Sequence, residues 1–170
     1  MAEEARQPTL AHDVLALVLK IALIVAAAFA LFGFVFGVYR VGDVGMSPGV
    51  KDGDLVMYYR LDRSFAAGEV VVLNYEGAPT AARIIAVGGD EVNIDSQGLR
   101  VNGSYQQERD IREETTQVAG GVTFPLTVPE GSVFLLGDNR TGAVDSRIYG
   151  CVLEQDILGK VMAQFRRRGF

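Results

Sequence analysis

The sequence predicts a mainly β protein, an antiparallel sheet domain carried on one N-terminal transmembrane helix, and three observations predict it. Ile21 to Val38 contains no charged or strongly polar side chain, and Val14 to Leu19 extends that run past Lys20. Beyond Arg40 the pattern changes to short stretches with period-2 alternation, rich in Val, Ile, Leu and Tyr. Gly53-Asp54, Gly89-Asp90 and Asn102-Gly103 separate several of these stretches with the chemistry of tight turns. Three segments follow: a short N-terminus over 1–13, a transmembrane helix over 14–38, and a β domain over 39–170.

An apolar helix needs roughly 20 residues to cross a ~30 Å hydrocarbon layer, and 14–38 meets that length. Lys20 lies near the N-terminal end, where its stem can snorkel to the headgroups. A cleavable signal peptide has a basic start and about 7–15 apolar residues. Here the start holds Glu3, Glu4 and Asp13 against Arg6, and the run is longer, so the reading is an uncleaved anchor. Ala26-Ala27-Ala28 is the one stretch that mimics a cleavage site. Gly33 and Gly37 form a G-x-x-x-G spacing suited to a partner helix. The Lys/Arg rule gives no orientation, because Arg6 and Lys20 face Arg40, Lys51 and Arg60 on the other flank.

In the β domain, strands are expected at Leu55 to Tyr59, Glu69 to Tyr75, Arg83 to Val87, Val92 to Ile94, Leu99 to Val101, Val122 to Leu126 and Val133 to Leu136. Glu108 to Gln117, the most polar stretch, reads as an exposed loop or hairpin, and Glu154 to Phe165 as an amphipathic helix.

Composition narrows the chemistry. The chain has 170 residues and a formal charge of −5, so it presents no general electrostatic footprint for nucleic acid. The one basic block, Arg166-Arg167-Arg168, suits solvent or anionic headgroups. A single cysteine, Cys151, excludes an internal disulfide framework. The only histidine, His12, precedes the apolar run, which removes histidine triads and histidine-ligated metal sites from the β domain. No metal or cofactor is expected. Gly45-Met46-Ser47-Pro48-Gly49 fits G-x-S-x-G, but that elbow requires a strand–turn–helix and a histidine downstream, and neither is present in this sequence.

Three ordered blocks carry a family resemblance. The first is Val41-Gly42-Asp43-Val44-Gly45-Met46-Ser47-Pro48-Gly49-Val50 followed by Gly53-Asp54-Leu55-Val56; the second is Arg83-Ile84-Ile85-Ala86-Val87-Gly88-Gly89-Asp90. The third is Gly137-Asp138-Asn139-Arg140 with Asp145-Ser146-Arg147, Gly150 and Gly159-Lys160-Val161. Together with the anchor they resemble the type I signal peptidases, membrane-bound Ser–Lys peptidases that cut signal peptides from exported proteins. The resemblance implies a bacterial cell-membrane protein with a cytoplasmic N-terminus and an extracytoplasmic β domain.

Carried over residue by residue, the family's nucleophilic serine falls on Gly45, its general-base lysine on Ala82, and the serine that bonds that lysine on Ala143. All three positions lack the functional group. A Ser–Lys dyad works because a desolvated lysine, neutral at working pH, takes the serine proton. Losing a dyad member in a comparable serine peptidase costs about 10⁶ in turnover. Asp138, Asn139, Arg140, Asp145 and Arg147 remain, residues that hold loops by charge-assisted hydrogen bonds. The resemblance therefore implies a non-catalytic member whose groove, formed by Gly42, Asp43, Gly45, Met46, Pro48 and Ala82, binds an extended peptide or pilin-like protein. Signal-peptidase-like proteins of Gram-positive pilus assembly, accessory factors beside sortases, offer the pattern. The alternative is an active type I signal peptidase with a displaced dyad, drawing on Ser47, on Lys51 or Lys160, or on Asp43 as a weak base. With serine and lysine replaced by glycine and alanine, the cleft is expected to be more apolar than one that holds them.

Overall fold

The computed structural model describes residues 10–107, 111 and 113–166. It divides into two units, Met1–Val35 and Phe36–Phe170, of which the described part of the first is one helix. That helix, α1 (Leu10–Val35), has 26 residues and buries none of them. At 1.5 Å per residue it is about 39 Å long. Among the described residues it is the one helix long and apolar enough to cross a membrane.

The apolar run does not stay helical to Val38. It gives way at Phe36 to strand β1 (Phe36–Arg40), paired antiparallel with β2 (Leu55–Tyr59). Gly37 and Tyr58 explain the switch. A Cβ on Gly37 would overlap the Tyr58 ring, so the glycine is the seat for that ring. The G-x-x-x-G spacing therefore spans a helix and a strand and offers no helix-pairing face.

The chain then forms β3 (Val70–Tyr75), β4 (Ala78–Val87), β5 (Glu91–Asp95), β6 (Gly98–Val101), β7 (Ser104–Tyr105), β8 (Leu126–Thr127) and β9 (Ser132–Leu136). A short helix α2 (Ser146–Tyr149), β10 (Val152–Leu153), a 3₁₀ turn (Glu154–Asp156) and β11 (Ile157–Phe165) follow. Seven strands make one sheet in the order β1-β2-β11-β3-β4-β9-β10, and four make a second in the order β7-β6-β5-β8. Every pairing is antiparallel.

Two elements depart from expectation. Glu154 to Phe165 is no amphipathic helix: after one 3₁₀ turn, β11 fills the gap between β2 and β3 and pairs with both. The pairing fixes its conformation, since a Cβ on Gly159 would overlap the Tyr59 carbonyl and Ile157 is buried. Weak local periodicity yields to two rows of ladder hydrogen bonds. Of Val122 to Leu126 only Leu126 is strand, where it opens β8. Pro125 has no N–H to offer a ladder, and the Val122 N–H is taken by the Arg147 carbonyl at 2.9 Å. Strand β4 begins five residues earlier than its apolar stretch because it forms a hairpin with β3 through Glu76 and Gly77, both at positive φ (50° and 82°).

The interior is built from three apolar clusters. One gathers Tyr39, Val41, Met46, Val50, Val56, Tyr58, Val72 and Ala81. A second gathers Val71, Leu73, Ala82, Ile84, Val133, Leu135 and Ile157. The third joins the two sheets, bringing Val92, Ile94 and Leu99 onto Phe134 and Leu136. Of the polar stretch Glu108 to Gln117, residues 108–110 and 112 lie outside the described residues. Thr115 in that stretch is buried, not exposed.

Candidate peptide-binding site

The loop between β1 and β2 carries Gly45, β4 carries Ala82, and the segment after β9 carries Ala143. All three line one cleft of about 360 Å³, together with Asp43, Tyr75, Glu76, Thr80, Val144 and Tyr149. An ideal Cβ on Gly45 would sit 3.7 Å from the Ala143 Cβ, so these two positions are in van der Waals reach. A Cβ on Gly137 would overlap the Ala143 methyl and the Gly45 carbonyl oxygen. The glycine lets the Gly45 loop and the Ala143 loop close on one another, and the Asn139 N–H donates to the Gly45 carbonyl at 2.9 Å.

Charged side chains hold these loops from beneath. Asp138 accepts both Nε and Nη2 of Arg83, at 2.8 and 2.7 Å, a bidentate pair that ties the β9 end to β4. Asp145 accepts Arg147 Nε and Nη2 at 2.9 and 2.8 Å, caps α2 by accepting the Arg147 N–H, and also accepts the Gly137 N–H at 3.2 Å. Arg147 Nη2 donates to the Arg140 carbonyl. Arg140 in turn donates from Nε to the Gly137 carbonyl at 2.9 Å and from Nη1 to the Thr115 hydroxyl. Arg140, Asp145 and Arg147 are all at most 2% exposed, so this network is interior rather than surface.

The groove residues expected from the sequence do not all meet. Gly45, Asp43 and Ala82 line the cleft, and Gly42 lines a shallow hollow beside it with Asp43 and Tyr39. Met46 is fully buried in the first core cluster and reaches no groove. Pro48 is exposed and lies outside the cleft lining. Ala82 is only 3% exposed, because its methyl belongs to the second core cluster as well as to the cleft wall.

The lining keeps acidic groups beside these small residues. Asp43 stands in it, with Oδ1 on the Gly45 N–H at 2.8 Å and Oδ2 3.4 Å from the hydroxyls of Tyr39 and Thr80. Glu76 lines the same cleft. Burial, and next the Asp43 charge, push the Tyr39 phenol above its ordinary value. Burial does the same to the Tyr149 phenol, with the charge of Asp145 second. Tyr75 and Tyr149 stack at the far wall with centroids 4.5 Å apart. Thr80 was legible in principle, being two residues before Ala82 on the same strand face; Tyr149 and Glu76 arrive by tertiary contact and a hairpin tip, and carry no local signal.

Of the substitutes for a dyad, Asp43 lines the cleft and the other three do not. Ser47, Lys51 and Lys160 are absent from the cleft lining. The Ser47 N–H closes a turn onto the Val44 carbonyl, and Lys51 is exposed. Lys160 is bound to Asp62 and Glu69 at 3.0 Å each. Burial alone would lower its value, but the hydrogen bonds and charges of Glu69 and Asp62 outweigh it and hold the ammonium above its ordinary range. Among the described residues no His/Cys/Asp/Glu cluster could hold a metal ion.

An antiparallel two-sheet domain, a long N-terminal apolar helix and a cleft built from the Gly-Asp-Asn-Arg and Asp-Ser-Arg loops define the class of membrane-associated serine-peptidase folds. Residues 14–166 match the family "Signal peptidase, peptidase S26", and the chain belongs to that family. It is 32% identical over 139 residues to a signal peptidase I of Bacillus licheniformis, covering 74% of this chain and 75% of that protein. It is 28% identical over 172 residues to signal peptidase IB of Staphylococcus aureus, covering 90% of both. A crystal structure of a signal peptidase I from Enterococcus faecalis superposes with a TM-score of 0.51 at 28% identity, over 58% of this chain and 97% of that one. Family and helix α1 together point to a single-pass membrane anchor.

Proposed function

We propose that this member of the signal peptidase family holds an extended peptide in its cleft and does not cut it. One observation carries the reading: the positions of the family's nucleophile, base and base partner converge on a single cleft, and they are Gly45, Ala82 and Ala143. Glycine supplies no nucleophile and alanine no base, while the arginine–aspartate frame that shapes the cleft is intact. A peptide added as a strand gains about 0.5–1.5 kcal/mol net per backbone hydrogen bond, which places affinity in the micromolar range or weaker. Confinement to the same membrane raises its effective concentration. The β domain faces the outside of the cell, where exported proteins emerge, and the N-terminus is cytoplasmic. The partner is an exported, pilin-like protein, and the role is that of an accessory factor beside a sortase in pilus assembly.

The names of its relatives favour a second reading, an active signal peptidase whose dyad is drawn from other side chains. The two are separated by one experiment on the full chain in detergent. Under the first reading a fluorescent peptide spanning a signal-peptide cleavage point binds, preprotein stays intact, and Val144→Glu at the exposed cleft rim weakens binding. Cleavage that is abolished by Ser47→Ala establishes the second. In a host with pili, the first reading expects Val144→Glu to reduce polymer while pilin export continues.

A further inference from the structure

Asp43 stands two residues before the vacated nucleophile position, and its Oδ1 accepts the Gly45 N–H at 2.8 Å. In acyl transfer to a serine, attack on the peptide carbonyl turns its oxygen into an oxyanion. The nucleophile's own backbone N–H is a recurrent donor to that oxyanion. In this chain the N–H at the corresponding position is already engaged by a carboxylate. A second negative oxygen brought to it would lie beside the first, in a partly buried cleft where like charges are poorly screened. An ideal Cβ on Gly45 would sit 3.0 Å from Asp43 Oδ1, a tight contact that a shift of a few tenths of an ångström in the carboxylate relieves. A serine at 45 therefore leaves the carboxylate beside the 45 N–H.

We infer that Asp43 is a positioning residue that closes the oxyanion position, so that a bound peptide bond is held in its ground state. This is a fourth inactivating feature, separate from the three vacated side chains, and it rests on the reading of the cleft as a peptide site. Its consequence is that returning serine and lysine to the cleft does not by itself return catalysis.

Two measurements test it, both on the full chain in detergent. The first compares Gly45→Ser, Ala82→Lys, Ala143→Ser with the same variant carrying Asp43→Ser as well, using a fluorophosphonate probe. In labelling, the introduced serine gives its hydroxyl proton to the introduced neutral amine, its oxygen bonds to phosphorus, and fluoride leaves. Labelling without Asp43 is expected to be about 10²–10³ times faster, the effect of one oxyanion donor. Asp43→Asn, which keeps an acceptor for the Gly45 N–H without the charge, is expected in between, with unfolding curves confirming that each variant is folded. Equal rates with and without Asp43, including no labelling in either, overturn the inference. The second measurement leaves Gly45 in place and compares an amide peptide with its phosphinate analogue, an anionic tetrahedral mimic. Asp43→Ser is expected to tighten phosphinate binding at least tenfold while the amide peptide changes less than threefold. Parallel changes in both peptides overturn it, because a purely structural role would move both. If neither peptide binds either protein, the groove reading fails, and the labelling comparison still decides the role of Asp43.

Discussion

Removing the Asp145 carboxylate is the sharpest test of what holds the cleft in shape. Asp145 is 1% exposed and receives four hydrogen bonds, three from Arg147 and one from the Gly137 N–H. Asp145→Ala leaves the Arg147 guanidinium, 2% exposed, with the carbonyl oxygens of Thr116 and Arg140 but no counter-charge among these partners. Breaking a buried ion pair from one side costs about 3–5 kcal/mol, because the remaining charge stays desolvated. For a domain of this size that lowers Tm by roughly 10–20 °C. The chain has no tryptophan and six tyrosines, so guanidinium unfolding in detergent is followed by tyrosine fluorescence. The double variant Asp145→Ala/Arg147→Met removes both charges and is expected to recover part of the loss. A cost below about 1 kcal/mol for Asp145→Ala would refute the reasoning, as would a double variant as destabilised as the two single changes combined.

Three further outcomes follow from the same geometry. Gly137→Ala drives a methyl into Ala143 and the Gly45 carbonyl; it is expected to cost about 1–3 kcal/mol and to weaken peptide binding, measured by unfolding and by titration. Stability should fall at both pH extremes through one cluster. Asp62 is lowered to about 2 by the hydroxyl and N–H of Ser64 and by Lys160, so its contribution is present above the unfolded value near 3.8 and lost as pH falls through about 2. Lys160 is raised, so its contribution is complete below the unfolded value of roughly 10.4 and lost as pH rises through its higher folded value; Lys160→Met should flatten the alkaline limb of a stability–pH curve. Finally, under the proposed orientation protease added to protoplasts should digest the β domain and spare α1, and protection of the β domain would overturn that proposal.

The fold class was legible because its signals are local. Leu55–Tyr59 alternates buried and partly exposed residues, and the Gly-Asp and Asn-Gly turns sit between strands. What was illegible is set by partners distant in the chain. Phe36–Val38 continues an apolar run, and its ladder with β2, which seats the Tyr58 ring on Gly37, makes it a strand. Ile157–Phe165 has no strong period of its own, and β2 and β3 impose one. At the cleft, the three motif blocks point to Gly45, which lies inside the first, to Ala82, which directly precedes the second, and to Ala143, which falls between the two halves of the third. The burial of Met46 was hidden because a residue next to Gly45 in sequence can point into the core rather than along the groove. Asp43 was legible from its place two residues before Gly45, whereas Glu76 was hidden because a hairpin tip brings it to the same cleft.

The placement of β11 sets an order of events for the newborn chain. In the seven-stranded sheet β2 and β3 do not touch as neighbours; β11 lies between them and pairs with both. Until it arrives, the seven-stranded sheet is left in two parts that share no ladder, a β1–β2 pair and a β3–β4–β9–β10 block, each with an open edge. Closing that gap demands contacts across about a hundred residues of sequence, which makes folding slow and leaves adhesive edges bare meanwhile. A chain halted before Ile157 would thus be a target for clearance by proteases, because it lacks the strand that ties the two parts of the sheet together.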